Sequence, residues 1–329
     1  TVIVGSVYCQ IAAGSNGTGF SELNLPDASG SFTVRGPEKN SYVFRLDNQA
    51  ECNHNSGTVT FSLTAENHPS IMDVTSLRGT GVNNILVTQT VSSNSANGVL
   101  EFVGSDTVKG NLTLTGNGSQ SCIVDTNFNG ANLTIDGDVT VNNHSTFIKR
   151  TTNTGNYSFG GLKLASGSTF NATSGTTTIT NRITGESHLW KNDGGTFNHN
   201  NGTVKFNDND HSAVKENTFY NVEVESNLGD YAVSFEAQGG GGNPFTILNN
   251  LTITRGDFEL VNANDTCDIH GQTIINGSSN SAARFNNDKN QTGTITHHGL
   301  VTIIQGTYHV EDGATVNMAG IRNIGGLVD

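Results

Sequence analysis

Positive charge is scarce in this chain. Sixteen Lys and Arg residues stand against 29 Asp and Glu in 329 residues, a formal net charge of −13. Nucleic acids and anionic membrane surfaces are recognised by concentrated Lys and Arg, so neither is an expected partner. Long apolar runs are missing too. None approaches the ~20 residues that a membrane helix needs, and no basic-then-apolar leader opens the sequence at Thr1, so no membrane insertion is expected. Cysteine is sparse: Cys9, Cys52, Cys122 and Cys267 lie far apart and form no C-x-x-C pair. Zinc and redox signatures are therefore absent, and the thiols read as small buried hydrophobes. No cofactor is expected.

What is abundant is glycine, with 40 residues, and asparagine, with 43. No window carries the 3.6-residue apolar period of an amphipathic helix. Apolar residues sit instead in short β-branched or aromatic runs such as Tyr42-Val43-Phe44 and Val301-Thr302-Ile303-Ile304, bounded by Gly and Asn. The fold class is all-β.

One stretch recurs almost unchanged. Asn53-His54-Asn55-Ser56-Gly57-Thr58-Val59-Thr60-Phe61 returns 145 residues later as Asn198-His199-Asn200-Asn201-Gly202-Thr203-Val204-Lys205-Phe206, with seven of nine positions identical. A weaker copy, Phe170 to Ile179, lies 27 residues before the second of these, and Ile295 to Ile303 is a shortened one. A second element, Asn-Leu-Thr-Leu/Ile, begins at Asn111, Asn132 and Asn250, the first two 21 residues apart. Apolar residues two apart in both elements define one inward face. Repetition at 21 to 27 residues with Gly and Asn at the corners is the pattern of a parallel β-solenoid. A β-sandwich would alternate strands and hairpin turns at 8–12-residue spacing. The solenoid accounts better for repetition of a whole motif. Gly57 and Gly202 are expected to make the turns, Asn to serve the corners by bonding local backbone, and Val59, Phe61, Val204, Phe206, Leu251 and Ile253 to fill the core. Residues 1–50 fit the repeat least and read as an irregular cap or attachment segment ahead of a β-helix spanning 51–329.

The run Gly195 to Phe206, followed by Thr218-Phe219-Tyr220-Asn221-Val222-Glu223-Val224 and Asn250-Leu251-Thr252-Ile253, resembles the repeats of right-handed parallel β-helix proteins found in bacterial surface adhesins and in fibres or spikes of marine bacteriophages. The resemblance covers roughly residues 50 to 310. It implies a single-stranded right-handed β-helix and frequent trimerisation or end-to-end assembly.

Candidate chemistry is thin. His54 and His199 lie many coils apart, so they read as corner imidazoles bonded to backbone rather than as one site. His297 and His298 should point to opposite faces of a strand, which disfavours joint ligation. Asp208 and Asp210 imitate the start of a calcium loop without its downstream Gly and Glu; Asp136 and Asp138 are a comparable pair. Polysaccharide-cleaving β-helices need paired carboxylates on one flank, and Asp265, Asp268 and His270 are the candidates. The polygalacturonase-like pattern of Asn-Thr-Asp, Asp-Asp and Gly-His-Gly is not met: the chain has Asn264-Asp265-Thr266 and no Asp-Asp pair. A carbohydrate-binding adhesin would instead expose aromatics on one flank, with Tyr157, Trp190 and Tyr220 as candidates. Gly239 to Pro244 reads as a corner insertion, since no helix follows it to bind phosphate. The expected function is a non-catalytic structural protein, self-associating in a virion or extracellular fibre, spike or decoration, with other virion or surface proteins as further partners. A glycan-binding adhesin and a depolymerase acting on a surface glycan are the alternatives.

Overall fold

The computed structural model describes residues 2–9, 22–35, 42–46, 51–63, 70–73, 78–79, 81–89, 98–117, 121–126, 129–208, 210–226, 232–237, 244–262, 264–287, 292–310 and 313–329. The loop at residues 14–19 and the glycine run at 239–242 lie outside them. The described chain is strand, turn and bend without helix, and it forms two compact units. One holds residues 1–159, 163–173 and 194–198; the other holds 160–162, 174–193 and 199–329.

In the first unit a ladder runs through Val2–Val4, Ser31–Arg35, Thr58–Leu63, Asn84–Gln89, Leu112–Thr115 and Val139–Asn142, each strand parallel to the next. A second ladder climbs through Tyr42–Leu46, Ser70–Asp73, Gly98–Phe102, Cys122–Thr126, Thr146–Phe147 and Thr169–Asn171. The third face carries Asp106–Val108, Leu133–Ile135 and Tyr157–Phe159. The second unit repeats the scheme. One of its ladders joins Thr203–Phe206, Asn221–Glu225, the start of Leu251–Leu260, Thr273–Asn276 and the end of Thr294–Gln305. Every named strand pair among the described residues is parallel, and the antiparallel contact found there is an isolated bridge between Asp27 and Ser56. The sandwich alternative needs hairpins, so the structure is a parallel β-solenoid. Among the described residues ahead of residue 50, Val2–Val4 and Ser31–Arg35 belong to the first ladder, Val7–Cys9 pairs with Tyr42–Leu46 of the second, and Glu22–Asn24 pairs in parallel with Glu51–Asn53.

Alternation fills the core as the sequence pattern predicts. Val59, Phe61, Val204, Phe206, Leu251 and Ile253 are all buried, as are the side chains of Cys52, Cys122 and Cys267. Because each coil lies in register on the last, like side chains meet. Phe147, Phe170 and Phe197 stack at 5.4 and 5.9 Å between ring centroids, and Phe258, Phe285 and Tyr308 at 5.2 and 4.8 Å. Each such contact is worth about 0.5–1.5 kcal/mol beyond area burial.

The corners correct two expectations. First, Asn111 and Asn132 do not stack on each other. Leu112 pairs with Val139 on one face, whereas Leu133 pairs with Asp106 and Tyr157 on another. Second, the corner asparagines bond the coil ahead rather than local backbone. Asn84 Oδ1 accepts the Asn111 N–H at 2.9 Å, and Asn111 Oδ1 accepts the Asp138 N–H at 2.8 Å. Asn132 does the same for Asn156, Asn221 for Asn250 and Asn250 for Gln272, at 2.7, 3.2 and 2.9 Å. Corner backbone that the ladders leave unpaired is satisfied in this way. The arrangement leaves no room for a side chain at Gly137, where a Cβ would stand 2.3 Å from Asn111 Oδ1 and 2.7 Å from the Gly110 carbonyl carbon.

The repeated histidine motif is a turn with positive φ at two central residues, Asn55 (45°) and Ser56 (63°) in one copy and Asn200 (48°) and Asn201 (59°) in the other. It is closed by Gly57 N–H to His54 O at 2.8 Å and Gly202 N–H to His199 O at 2.9 Å, the pattern of a type I′ turn. The left-handed residues are thus the asparagines and Ser56, not the glycines. Gly57 is needed for space, because a Cβ there would lie 2.0 Å from the Pro26 carbonyl oxygen. Each histidine is a corner group, its Nδ1 accepting the N–H two residues on, at 2.8 Å for His54 and 3.0 Å for His199. Asn142 to Ser145 is a third such turn, with Asn143 and His144 left-handed.

Asn111→Ala should lower unfolding free energy by about 1–3 kcal/mol by orphaning the Asp138 N–H, and Gly137→Ala by a similar 1–3 kcal/mol through overpacking. Urea denaturation measures both; a midpoint unchanged in Asn111→Ala would contradict the corner ladder.

Candidate functional site

The aromatic candidates separate sharply. Tyr157 and Trp190 are 1% and 0% exposed, so neither can line a glycan-binding flank. Tyr157 shares the inward face of its strand with Phe159, and its hydroxyl accepts from Asn153 Nδ2. Burial pushes that phenol up to about 12. Trp190 packs edge-on against Phe219 at 5.4 Å and donates its indole N–H to Glu216 at 3.2 Å. Glu216 is itself buried, which raises its pKa, and also accepts from Asn192 at 2.9 Å. Only Tyr220 of the three reaches the surface. It is half-buried and stacks on the His199 ring at 5.5 Å.

The carboxylate candidates do not converge as proposed from sequence. Asp265 is buried and closes a corner, its Oδ2 accepting both the N–H and the side-chain amide of Asn262 at 3.0 Å. Asp268 and His270 lie outside, where the structure brings a further residue, His298, beside them. His298 stacks on His270 at 4.6 Å, with its Nε2 3.8 Å from Asp268 Oδ1. The coil period was the signal, since it sets these two histidines one above the other. His297 and His298 do face opposite ways, the first buried and the second exposed. Asp208 is buried against the Ser212 hydroxyl, and Asp210 pairs with the Arg182 guanidinium. The two carboxylates thus have different side-chain partners, and both line one surface cavity with Arg182.

The site that the sequence analysis missed is a cleft in the first unit, about 460 Å³, lined by Val99, Glu101, Asp125, Lys149, Arg150 and their neighbours. Parallel pairing of Gly98–Phe102 with Cys122–Thr126 places Glu101 directly beside Asp125. Burial raises the pKa of both, and the charge of Asp125 adds to the rise at Glu101. Asp125 Oδ1 accepts the backbone N–H groups of Thr126 and Arg150, at 2.9 and 3.0 Å, and Arg150 Nε donates to the Thr126 carbonyl at 2.9 Å. The chain reaches this position through Ile148, buried at φ 60°, a backbone conformation that β-branched residues rarely adopt. Ile148 is fixed by its N–H to the Val124 carbonyl at 2.7 Å and its own carbonyl to Asn171 Nδ2 at 2.6 Å. A pair of carboxylates in which one is inclined to hold a proton, beside Lys and Arg, can exchange protons with a bound hydroxyl or bind it directly.

A raised carboxyl pKa means that the folded state holds its proton more tightly than the unfolded chain. Stability is then fullest below the ordinary carboxyl range and declines as pH rises through the folded value. Glu101→Gln should therefore raise the melting temperature at neutral pH and flatten its decline above the ordinary glutamate value of 4.5; calorimetry across that pH range checks this.

Comparison of the chain with protein-family models, with curated proteins and with solved structures finds no match.

Proposed function

We propose that the protein is a non-catalytic structural element, the β-solenoid body of an extracellular or virion fibre, spike or decoration that works through self-association. The observation that supports this reading is the use of the polar side chains. The corner asparagines, the turn histidines and the buried carboxylate Glu216 bond other parts of the same fold. Composition agrees with it: charge is low and acidic, and Gly and Asn dominate. The resemblance of the repeats to those of β-helical adhesins and phage fibres points the same way. The partner in this reading is a further copy of the chain, as a trimer or end to end, with other virion or surface proteins adjoining.

A second reading, recognition or cleavage of a surface glycan, is favoured by one observation, the Glu101–Asp125 cleft with its adjoining cations. Under this reading Tyr220 is the remaining aromatic candidate.

Light scattering across a concentration series is expected to give a mass that rises to a multiple of 34.6 kDa. A stable monomer at the highest concentration would overturn the assembly reading. Release of reducing ends from bacterial polysaccharides by the wild-type protein, lost in Glu101→Gln, would replace the structural reading with the second one.

A further inference from the structure

The core of the second unit contains one histidine that neither function uses. His297, 1% exposed, projects inward from the strand Thr294–Gln305. Its Nδ1 lies 2.8 Å from Thr273 Oγ1 and its Nε2 2.9 Å from the Tyr308 hydroxyl. The Phe285 and Tyr308 rings approach it edge-on at 5.4 and 5.6 Å. Two hydroxyls suit a neutral imidazole, which needs one donor and one acceptor. They offer an imidazolium no compensating charge.

We propose that His297 is an acid-responsive latch: while neutral it joins the coils between Thr266 and Val310, and protonation loosens them. Each element packed around it supports this. The preceding coil presents Cys267, Ile269 and Thr273, its own coil presents Tyr308, and the following one presents Met318. The titratable groups there are the Cys267 thiol and the Tyr308 phenol, both pushed up by burial and therefore uncharged. On its own strand the neighbour is His298, which faces outward, and Asp268 lies on that outer face beside it. No carboxylate among the described neighbours reaches the ring. Burial, with some repulsion from His298, holds His297 down at about 4, against 6.5 for an ordinary histidine. The sign follows from this order. The stabilisation is fully present above the ordinary value and is lost as pH falls from there towards the folded one. Over that window the equilibrium holding these coils closed should weaken by roughly two to three orders of magnitude.

The test is backbone amide exchange of the whole chain at pH about 7 and pH about 4, corrected for intrinsic exchange rates. Peptides covering residues 294–310 should lose protection in acid, while those covering 133–142 keep theirs. His297→Gln, neutral at both values, should retain protection at 294–310. Equal loss in the variant, or loss spread evenly over both units, overturns the proposal. If the variant does not fold, the imidazole resonances of the wild type decide. The proposal requires His297 to stay neutral until the coils open. Free titration near the ordinary histidine value with the coils still protected would refute it.

Discussion

A parallel coil pairs its backbone with the coil before it and the coil after it, and every other feature of this protein follows from that constraint. Pairing fixes register, and register stacks side chains of the same strand position. In Phe147, Phe170 and Phe197 the stacking produces a column of rings; in Glu101 and Asp125 it produces two carboxylates side by side. The same geometry is stabilising for an apolar position and costly for a charged one. Acidic pairs therefore mark places where the stack carries strain, and the left-handed Ile148 lies next to one of them.

Strand ladders leave the corners unsatisfied, and the chain meets that need with asparagine. A short amide reaches the backbone N–H of the next coil, as Asn111 reaches Asp138. Glycine follows from this, since the reaching amide occupies the volume where a Cβ would stand at Gly137. The histidine turns solve a related problem by a local route, with Nδ1 accepting an N–H inside the turn. Protonated imidazole has no acceptor, so the bond that closes the His199 turn requires the neutral ring. Burial lowers the pKa of His199 accordingly, and His297 carries the same requirement into the core.

Much of the architecture was legible in the order of residues. Alternation placed Val59, Phe61, Val204 and Phe206 inward, and the 27-residue spacing of Phe170 from Phe197 is the pairing register found. The spacing of Asn111 and Asn132 misled, because a solenoid has several faces and a similar motif can begin strands on different ones. Tyr157 and Trp190 misled for another reason. Aromatic character marks a large side chain but not its side of the sheet, and in Leu189-Trp190 two consecutive residues are buried where the pairing register shifts.

The sequence by itself determined the all-β class, the repeat, the inward faces and the identity of the corner residues, since these depend on side-chain period and backbone preference over a few residues. Only the tertiary structure decided which residues meet across coils: Glu101 with Asp125, His270 with His298, and His297 with Thr273 and Tyr308. Those meetings depend on the length of every intervening loop. A change of one residue between coils moves a side chain to the other face of its strand, and no local pattern records that sum.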